Sequence, residues 1–241
     1  MKANSYELTQ EEKNLLCKTY ASDKNILTGN LYDYQVRTIE TYREMTNYLQ
    51  EKYNGKTFEY VSFEVGSGFN MVVGLTFKEA NSDRLYEVLV KKNESASEKA
   101  EYEDNYYGSM YENAYSEYVS GKLLEKGIKS YVVVRINGLF DKNRCVMLPI
   151  EEIKEIYDKA KFNITFYIDS TEFSEKRQNE IVNKIEEEIR KDGQYGTYEV
   201  VFVEKMLSKF SDCQECVTER KRNREIGKII RFNTFDIRGK A

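Results

Sequence analysis

Two cysteines separated by two residues have the spacing that most directly suggests chemistry in this chain. Cys213 and Cys216 could supply two of the four ligands of a structural zinc ion, or the dithiol of a redox protein. The remaining zinc ligands would be Cys17 and Cys145, far away in the sequence, because the chain contains no histidine. A redox dithiol favours the start of a helix, whereas the residues before Cys213 already show a helical pattern. We therefore predict ordinary reduced thiols, with metal binding or redox cycling at Cys213 and Cys216 as the alternative.

The lack of histidine also narrows the range of catalytic mechanisms. It removes Ser-His and Cys-His nucleophile pairs and the usual general base near neutral pH. Carboxylate, lysine, tyrosine and cysteine groups remain. The adjacent acids Glu151 and Glu152, and the run at 186–188, fall on predicted helix surfaces, where solvated charge is commoner than a converging catalytic pair. We expect no cofactor, and we favour a non-enzymatic protein over an enzyme that uses these groups.

A basic cluster, "TERKRNREIGK" at residues 218–228, could contact phosphate groups. Nucleic-acid-binding domains are usually basic as a whole, but this chain has a net charge of −4 and a pI of about 5.3. No aromatic platform lies beside the cluster in the sequence. We therefore predict that the cluster is the solvated face of a helix, and nucleic acid is not an expected partner.

The segment "EYEDNYYGSMYENAYSEY", residues 101–118, contains six tyrosines. If the segment is helical, Tyr107, Tyr111, Tyr115 and Tyr118 recur at three- or four-residue steps and form one broad apolar face. Their rings would fill a core while their hydroxyls reach its rim. The spacing therefore predicts an amphipathic helix that packs on a sheet.

A binding surface is the alternative for the same segment. Tyrosine is a common anchor at protein interfaces, and a groove lined by Tyr102, Tyr106, Tyr107 and Tyr111 would suit a peptide or a small ligand. Asp104 is predicted to open the helix. Because Tyr102 and Tyr106 lie near that start and off the apolar stripe, they are the residues that we most expect to face a partner.

Helical periodicity dominates the N-terminal part of the chain. Thr9 and Glu12 have the spacing of a capping box and predict a short first helix. A second helix is predicted from Tyr34 to Tyr53, with Gly55 at its C-terminal cap. The period then changes to two, which predicts strands at 58–65, 69–77 and 84–90. Their sequential order, with a hairpin turn at 66–68, predicts an antiparallel meander.

The second half of the chain alternates helices and strands. Strands are predicted at 130–136, 162–168, 197–205 and 228–237. Helices are predicted after Pro149, at 171–191 and at 205–224. The whole pattern is α+β: an antiparallel meander packed by helices, followed by alternating helix–strand segments. We predict an N-terminal helical segment at 1–33, a module at 34–140 with the three-strand meander and the tyrosine-rich helix, and a second α+β module at 150–241. One continuous domain is the alternative to two modules.

Composition limits where such a chain can operate. Its 241 residues are 40% hydrophobic and 32% charged with both signs mixed, which is typical of a globular protein. No apolar run is long enough to span a membrane. The N-terminus lacks the apolar region of a signal peptide, so we expect a cytoplasmic protein if Met1 is native, and an extracytoplasmic one if a signal segment has been removed.

Two motifs give the chain a resemblance to a known group. The turn Lys52-Tyr53-Asn54-Gly55 ends a helix, and Asp104-Asn105-Tyr106-Tyr107 opens the segment after the strands. This layout, over about residues 45–126, resembles small uncharacterised proteins and lipoproteins of Gram-positive bacteria. The resemblance implies the same α+β arrangement and implies no activity.

We therefore expect a non-enzymatic α+β protein that binds another protein or a peptide. A small acidic chain of this kind would suit an immunity-like or accessory role toward its partner. The alternative is an enzyme that uses carboxylate, tyrosine or cysteine groups, and it would require convergent polar side chains in a concave pocket. The sequence leaves the oligomeric state open.

Overall fold

The structure, a computed structural model, describes most of the chain. The described residues are 4–20, 24–65, 73–91, 100–157, 159–192, 194–204 and 228–237. Some predicted features lie outside the described residues: the hairpin turn at 66–68, the helix at 205–224 with Cys213 and Cys216, and the basic cluster up to residue 227. Within the described ranges, none of the helices combines the length and the hydropathy that a membrane crossing requires.

The chain divides into two compact units. The first unit comprises Met1–Asn105 and Asp141–Cys145, and the second comprises Tyr106–Phe140 and Val146–Ala241. The predicted segment 1–33 therefore belongs to the first unit, and the predicted module 34–140 is divided between both. The reason is strand pairing: the strand after the tyrosine-rich segment pairs with the later strands and not with the meander. Hydrophobic periodicity carries no information about pairing partners.

The first unit is a four-stranded antiparallel sheet with helices on one face. Its elements are β1 (Asn4–Ser5), α1 (Gln10–Tyr20), α2 (Lys24–Thr28), β2 (Asn30–Leu31), α3 (Asp33–Lys52), β3 (Phe58–Glu64), β4 (Gly74–Glu79), β5 (Tyr86–Lys91) and β6 (Glu101–Asp104). The strand order β3-β4-β5-β6 is the predicted meander with a fourth strand added. That strand, β6, includes Asp104, which the sequence pattern predicts as the start of a helix.

The predicted capping box is present at the start of α1. The Glu12 amide donates to Thr9 Oγ1 at 3.2 Å, and the Thr9 amide donates to Glu12 Oε2 at 2.7 Å. The same carboxylate accepts two hydrogen bonds from Arg43 of α3, at 2.6 and 3.0 Å. Glu12 therefore both begins α1 and attaches it to α3.

Helix α3 packs its apolar face on the meander. Its Met45 and Leu49 are fully buried, and the ring of Tyr42 contacts Tyr60 and Phe63 of β3 edge-on, at centroid distances of 5.8 and 6.0 Å. The opposite face of the sheet carries charged side chains that pair with one another, as in Lys78–Glu59 at 2.9 Å and Lys91–Glu101 at 3.3 Å. One buried and one solvated face are typical of an antiparallel sheet.

The second unit is a mixed sheet with helices. Its elements are α4 (Tyr106–Ser109), α5 (Glu112–Glu125), β7 (Tyr131–Gly138), a 3₁₀ helix (Ile150–Ile156), β8 (Ala160–Asp169), α6 (Glu175–Asp192), β9 (Gly196–Glu204) and β10 (Lys228–Ile237). The strand order is β10-β9-β8-β7, with β8 and β9 parallel and the other two pairs antiparallel. With the meander of the first unit, this arrangement confirms the α+β class.

The tyrosine-rich segment, residues 101–118, was predicted as one continuous helix, and the structure differs. It folds as strand β6, short helix α4 and then helix α5. The predicted apolar face is confirmed for Tyr107, Tyr111 and Tyr115, each at most 1% exposed, while Tyr118 is only half-buried. Glu112, at the start of α5, accepts a hydrogen bond from the Ile136 amide at 2.9 Å, so α5 caps a backbone donor of edge strand β7.

Candidate functional site

Four side chains of the first unit form a buried polar network that we call the Asp104 cluster: Asp104, Lys52, Tyr48 and Tyr53. Lys52 Nζ lies 2.7 Å from Asp104 Oδ2, and both side chains are 0% exposed. Tyr48 donates to Asp104 Oδ2 at 2.8 Å, and Tyr53 donates to Oδ1 at 2.7 Å. Strand β6 presents the carboxylate to the C-terminal end of α3, where Tyr48 and Lys52 are four residues apart on one helix face and Tyr53 is the C-cap residue.

The surroundings of this cluster act on the Lys52 ammonium in opposite directions. Both tyrosine rings lie beside the ammonium, with Lys52 Nζ 5.3 and 5.2 Å from the ring centroids of Tyr48 and Tyr53. Burial lowers the pKa of Lys52, and the Asp104 carboxylate opposes that effect. Burial first, and then Asp104, raise the pKa of Tyr48, so its hydroxyl keeps the proton that it donates.

The Asp104 cluster is closed to a substrate. A lysine with a lowered pKa is the type of group that attacks carbonyl compounds. Here Lys52 Nζ already donates to Asp104 and, at 3.0 Å, to the hydroxyl of Tyr48, and no part of its side chain is exposed. The role of the cluster that this geometry supports is structural: it links α3 to β6. It also joins Lys52-Tyr53 to Asp104, the two motifs on which the sequence resemblance rests.

The two tyrosines expected to face a partner are buried. Tyr102 lies on β6, is 9% exposed and donates its hydroxyl to Glu44 of α3. Tyr106 begins α4 and is 2% exposed. The prediction placed both residues at the N-terminal end of a helix, where a side chain off the apolar face would be exposed to solvent. In the structure Tyr102 is in a strand instead, and the alternation of that strand turns it toward α3.

Tyr107 and Tyr111 hold a segment of the same unit. Their hydroxyls are 2.8 Å apart. Tyr107 donates to the carbonyl oxygen of Val146 at 2.8 Å, and the Leu148 amide donates to the Tyr111 hydroxyl at 2.6 Å. These buried hydroxyls fix the backbone on either side of Met147, so both residues have a structural role that their spacing alone did not reveal.

Replacing Tyr111 by phenylalanine tests this role. The change removes the acceptor of the Leu148 amide and one partner of Tyr107, and we expect it to cost about 1–3 kcal/mol in unfolding free energy. Hydrogen exchange should be faster at the Leu148 amide, by roughly tenfold or more. Tyr118→Phe on the half-buried rim of α5 is the matched control, and equal exchange at Leu148 in both variants would contradict the assignment.

The first unit contains an open groove between α1 and β3. We call it the α1–β3 groove, and its volume is about 270 Å³. It is lined by Glu11, Asn14, Leu15, Lys18 and Thr19 of α1, Tyr42 of α3, Tyr60, Val61, Ser62 and Phe63 of β3, and Leu75 of β4. A β-bulge between Tyr60 and Ser62 interrupts the alternation of edge strand β3, which explains how four consecutive residues line one groove.

The α1–β3 groove has an aromatic wall and a polar rim. The ring of Tyr42 contacts the rings of Tyr60 and Phe63 edge-on. Tyr42 donates to Glu11 Oε1 at 3.1 Å; burial first, and then the Glu11 carboxylate, raise its pKa. Its hydroxyl is therefore a fixed donor at neutral pH. Sequence reasoning missed this groove, because the three-to-four-residue spacing of the α1 residues does not show that β3 lies opposite them.

The part of the chain that the structure describes contains no metal-binding cluster and no disulfide bond. No three acidic or cysteine side chains there are placed to hold a metal ion, and Cys17 and Cys145 are unbridged. A cavity of about 80 Å³ between α5 and α6 is smaller than the α1–β3 groove.

Comparison of the chain with protein-family models, with curated proteins and with solved structures finds no match.

Proposed function

We propose that this chain is a non-enzymatic binding protein whose ligand is a peptide or a segment of another protein, held in the α1–β3 groove. The observation that carries the proposal is the pairing of an aromatic wall with an exposed polar rim in an open groove. Interface anchors bind in pockets of this composition. A partner protein that presents such a segment would give the chain an accessory or immunity-like role.

The size of the groove supports a peptide over a cofactor. Pockets for small molecules and cofactors typically have volumes of about 300–1,000 Å³ and enclose most of the ligand. The α1–β3 groove, at about 270 Å³, is at the lower end of that range and is open to solvent. It suits one or two side chains of a longer segment, whose remaining residues would lie on the surface beside β3.

The enzyme alternative has less support. A catalytic site needs convergent polar groups that a substrate can reach. The Asp104 cluster has the convergence, but its two charged side chains are 0% exposed. The α1–β3 groove has the access, but the carboxylate and the amine on its rim, Glu11 and Lys18, are seven residues apart on one helix and do not act on a common point.

A selection with a random-peptide phage library tests the proposal, with Val61→Glu as the groove variant. Val61 is 41% exposed in the groove, and a carboxylate there would meet the apolar part of the ligand. We expect peptides selected on the wild-type chain to bind Val61→Glu at least tenfold more weakly. Val65→Glu is the matched control, since Val65 is 36% exposed on the same chain segment and lies outside the groove.

Two results would contradict the proposal. One is a selection that yields no peptide above the background of an unrelated immobilised protein. The other is a set of peptides that bind the wild-type chain, Val61→Glu and Val65→Glu equally, because those peptides would contact another surface. Circular dichroism of each variant checks that the fold is retained.

A further inference from the structure

The polar rim of the α1–β3 groove specifies the kind of peptide that it accepts. We infer that the bound segment presents a cationic group to Glu11, an anionic group to Lys18 and an apolar side chain between them. This inference rests on the proposed function and deepens it. It would make the groove selective for a zwitterionic segment in one orientation.

The inference begins with two exposed charges of opposite sign on one face of α1. Glu11 and Lys18 both line the groove and both are exposed. Residues seven apart lie on the same helix face, because two turns of an α-helix contain about seven residues. With a rise of about 1.5 Å per residue, the two backbone positions are about 10 Å apart along the axis. This distance is too long for a direct ion pair between them. Glu11 Oε1 accepts a hydrogen bond from Tyr42 at 3.1 Å, and both exposed charges can also contact solvent or a ligand.

The middle of the groove is apolar. Leu15 lies between the two charges on α1, and Tyr60 and Phe63 face it from β3. An extended peptide rises about 3.3 Å per residue. Cationic and anionic side chains two to four residues apart in such a peptide would therefore span the distance from Glu11 to Lys18, and the residues between them would meet the aromatic wall.

The rim charges contribute more to orientation than to affinity. Ion pairs between exposed side chains are individually weak, typically worth no more than a fivefold change in the dissociation constant. A peptide bound in the reverse direction would meet two like-charge contacts in place of two attractive ones, so the difference between orientations accumulates. Because the contacts are exposed, salt should weaken the preference.

A charge-swapped variant tests the inference. Phage-displayed heptapeptides are selected in parallel on the wild-type chain and on Glu11→Lys/Lys18→Glu, at low ionic strength. We expect the wild-type pool to be enriched in peptides that carry a basic and an acidic residue two to four positions apart in one predominant order, and the pool from the swapped variant to show the reverse order. The control is Glu175→Lys/Lys176→Glu, an exchange of exposed charges on α6 that also leaves the net charge unchanged.

Each outcome decides one of the two claims. If the selected peptides lose binding to Val61→Glu but show no charge order, or the same order in both pools, the inference about the rim is wrong and the groove remains the binding site. If no selected peptide is sensitive to Val61→Glu, the proposed function is wrong as well. If the order reverses only in Glu11→Lys/Lys18→Glu and not in the α6 control, both claims are supported.

Discussion

Replacing Asp104 by asparagine is expected to lower the free energy of unfolding of the first unit by about 3–5 kcal/mol. The ammonium of Lys52, 0% exposed, would lose the carboxylate at 2.7 Å that compensates its burial. The hydroxyls of Tyr48 and Tyr53 would donate to a neutral amide in place of an anion. Hydrogen exchange at amides of α3 measures the effect on the first unit without a contribution from the second.

The destabilisation should depend on pH in a defined direction. Burial already lowers the pKa of Lys52, and Asp104→Asn removes the charge that opposes this effect, so the folded-state pKa falls further below the unfolded value. Between those two values the unfolded chain binds more protons than the folded chain, and the free energy of unfolding therefore rises with pH. The cost of Asp104→Asn should shrink as the pH is raised toward the ordinary pKa of lysine, about 10.4.

Two further variants distinguish the stability contribution of this buried ion pair from that of an exposed ion pair. Replacing the whole network with Tyr48→Phe/Lys52→Met/Tyr53→Phe/Asp104→Leu should recover most of the loss. Replacing a buried pair by apolar residues is often neutral or stabilising, and no tyrosine hydroxyl is then left without its acceptor. Glu59→Gln breaks an exposed pair with Lys78 and should cost far less than Asp104→Asn, because exposed ion pairs contribute little to stability. A loss of similar size in Asp104→Asn and Glu59→Gln would show that the Asp104 cluster does not hold α3 on β6.

The second large effect is expected from Gly196→Ala in the second unit. Gly196 begins β9 opposite Phe162 of β8, and a Cβ atom added there would lie 1.8 Å from the Phe162 carbonyl oxygen. Because the clashing atom belongs to the backbone of a central strand, relief requires the parallel pairing of β8 and β9 to shift. We expect a loss of about 3 kcal/mol or more in unfolding free energy.

The same substitution at Gly121 provides a control with the opposite sign. Gly121 is exposed in the interior of α5, and a Cβ atom there would meet no atom within 4 Å. Gly121→Ala should stabilise the helix by about 0.5–1 kcal/mol. Thermal unfolding followed by circular dichroism compares the two variants, and a Gly196→Ala protein as stable as Gly121→Ala would contradict the register of β8 and β9.

Local features of the fold were predictable because they depend on neighbouring residues. The capping box at Thr9 and Glu12, the long helix α3 and the alternating strand β8 follow from spacing and period, and the structure confirms all three. The strand β6 was not predictable in this way. Its four residues, Glu101–Asp104, are charged or aromatic, and only their pairing with β5 makes them a strand.

The roles of individual residues depended on contacts over longer distances. Asp104 has the sequence context of a helix start, but its partners Lys52 and Tyr53 lie more than fifty residues earlier. The sequence identified both motifs through the resemblance and gave no reason to join them. The α1–β3 groove required the approach of α1 to an edge strand, which no local pattern encodes. Predictions about Cys213 and Cys216 concern residues outside the described ranges and stay predictions.

A nuclear magnetic resonance titration of the isotope-labelled chain with a selected peptide tests the central claim most directly. If the α1–β3 groove is the binding site, the largest amide shifts should fall on α1 between Glu11 and Thr19 and on β3 between Tyr60 and Phe63, and they should disappear in Val61→Glu. Shifts concentrated at Val146–Leu148 or around the cavity between α5 and α6 would contradict the claim and would place the binding surface in the second unit.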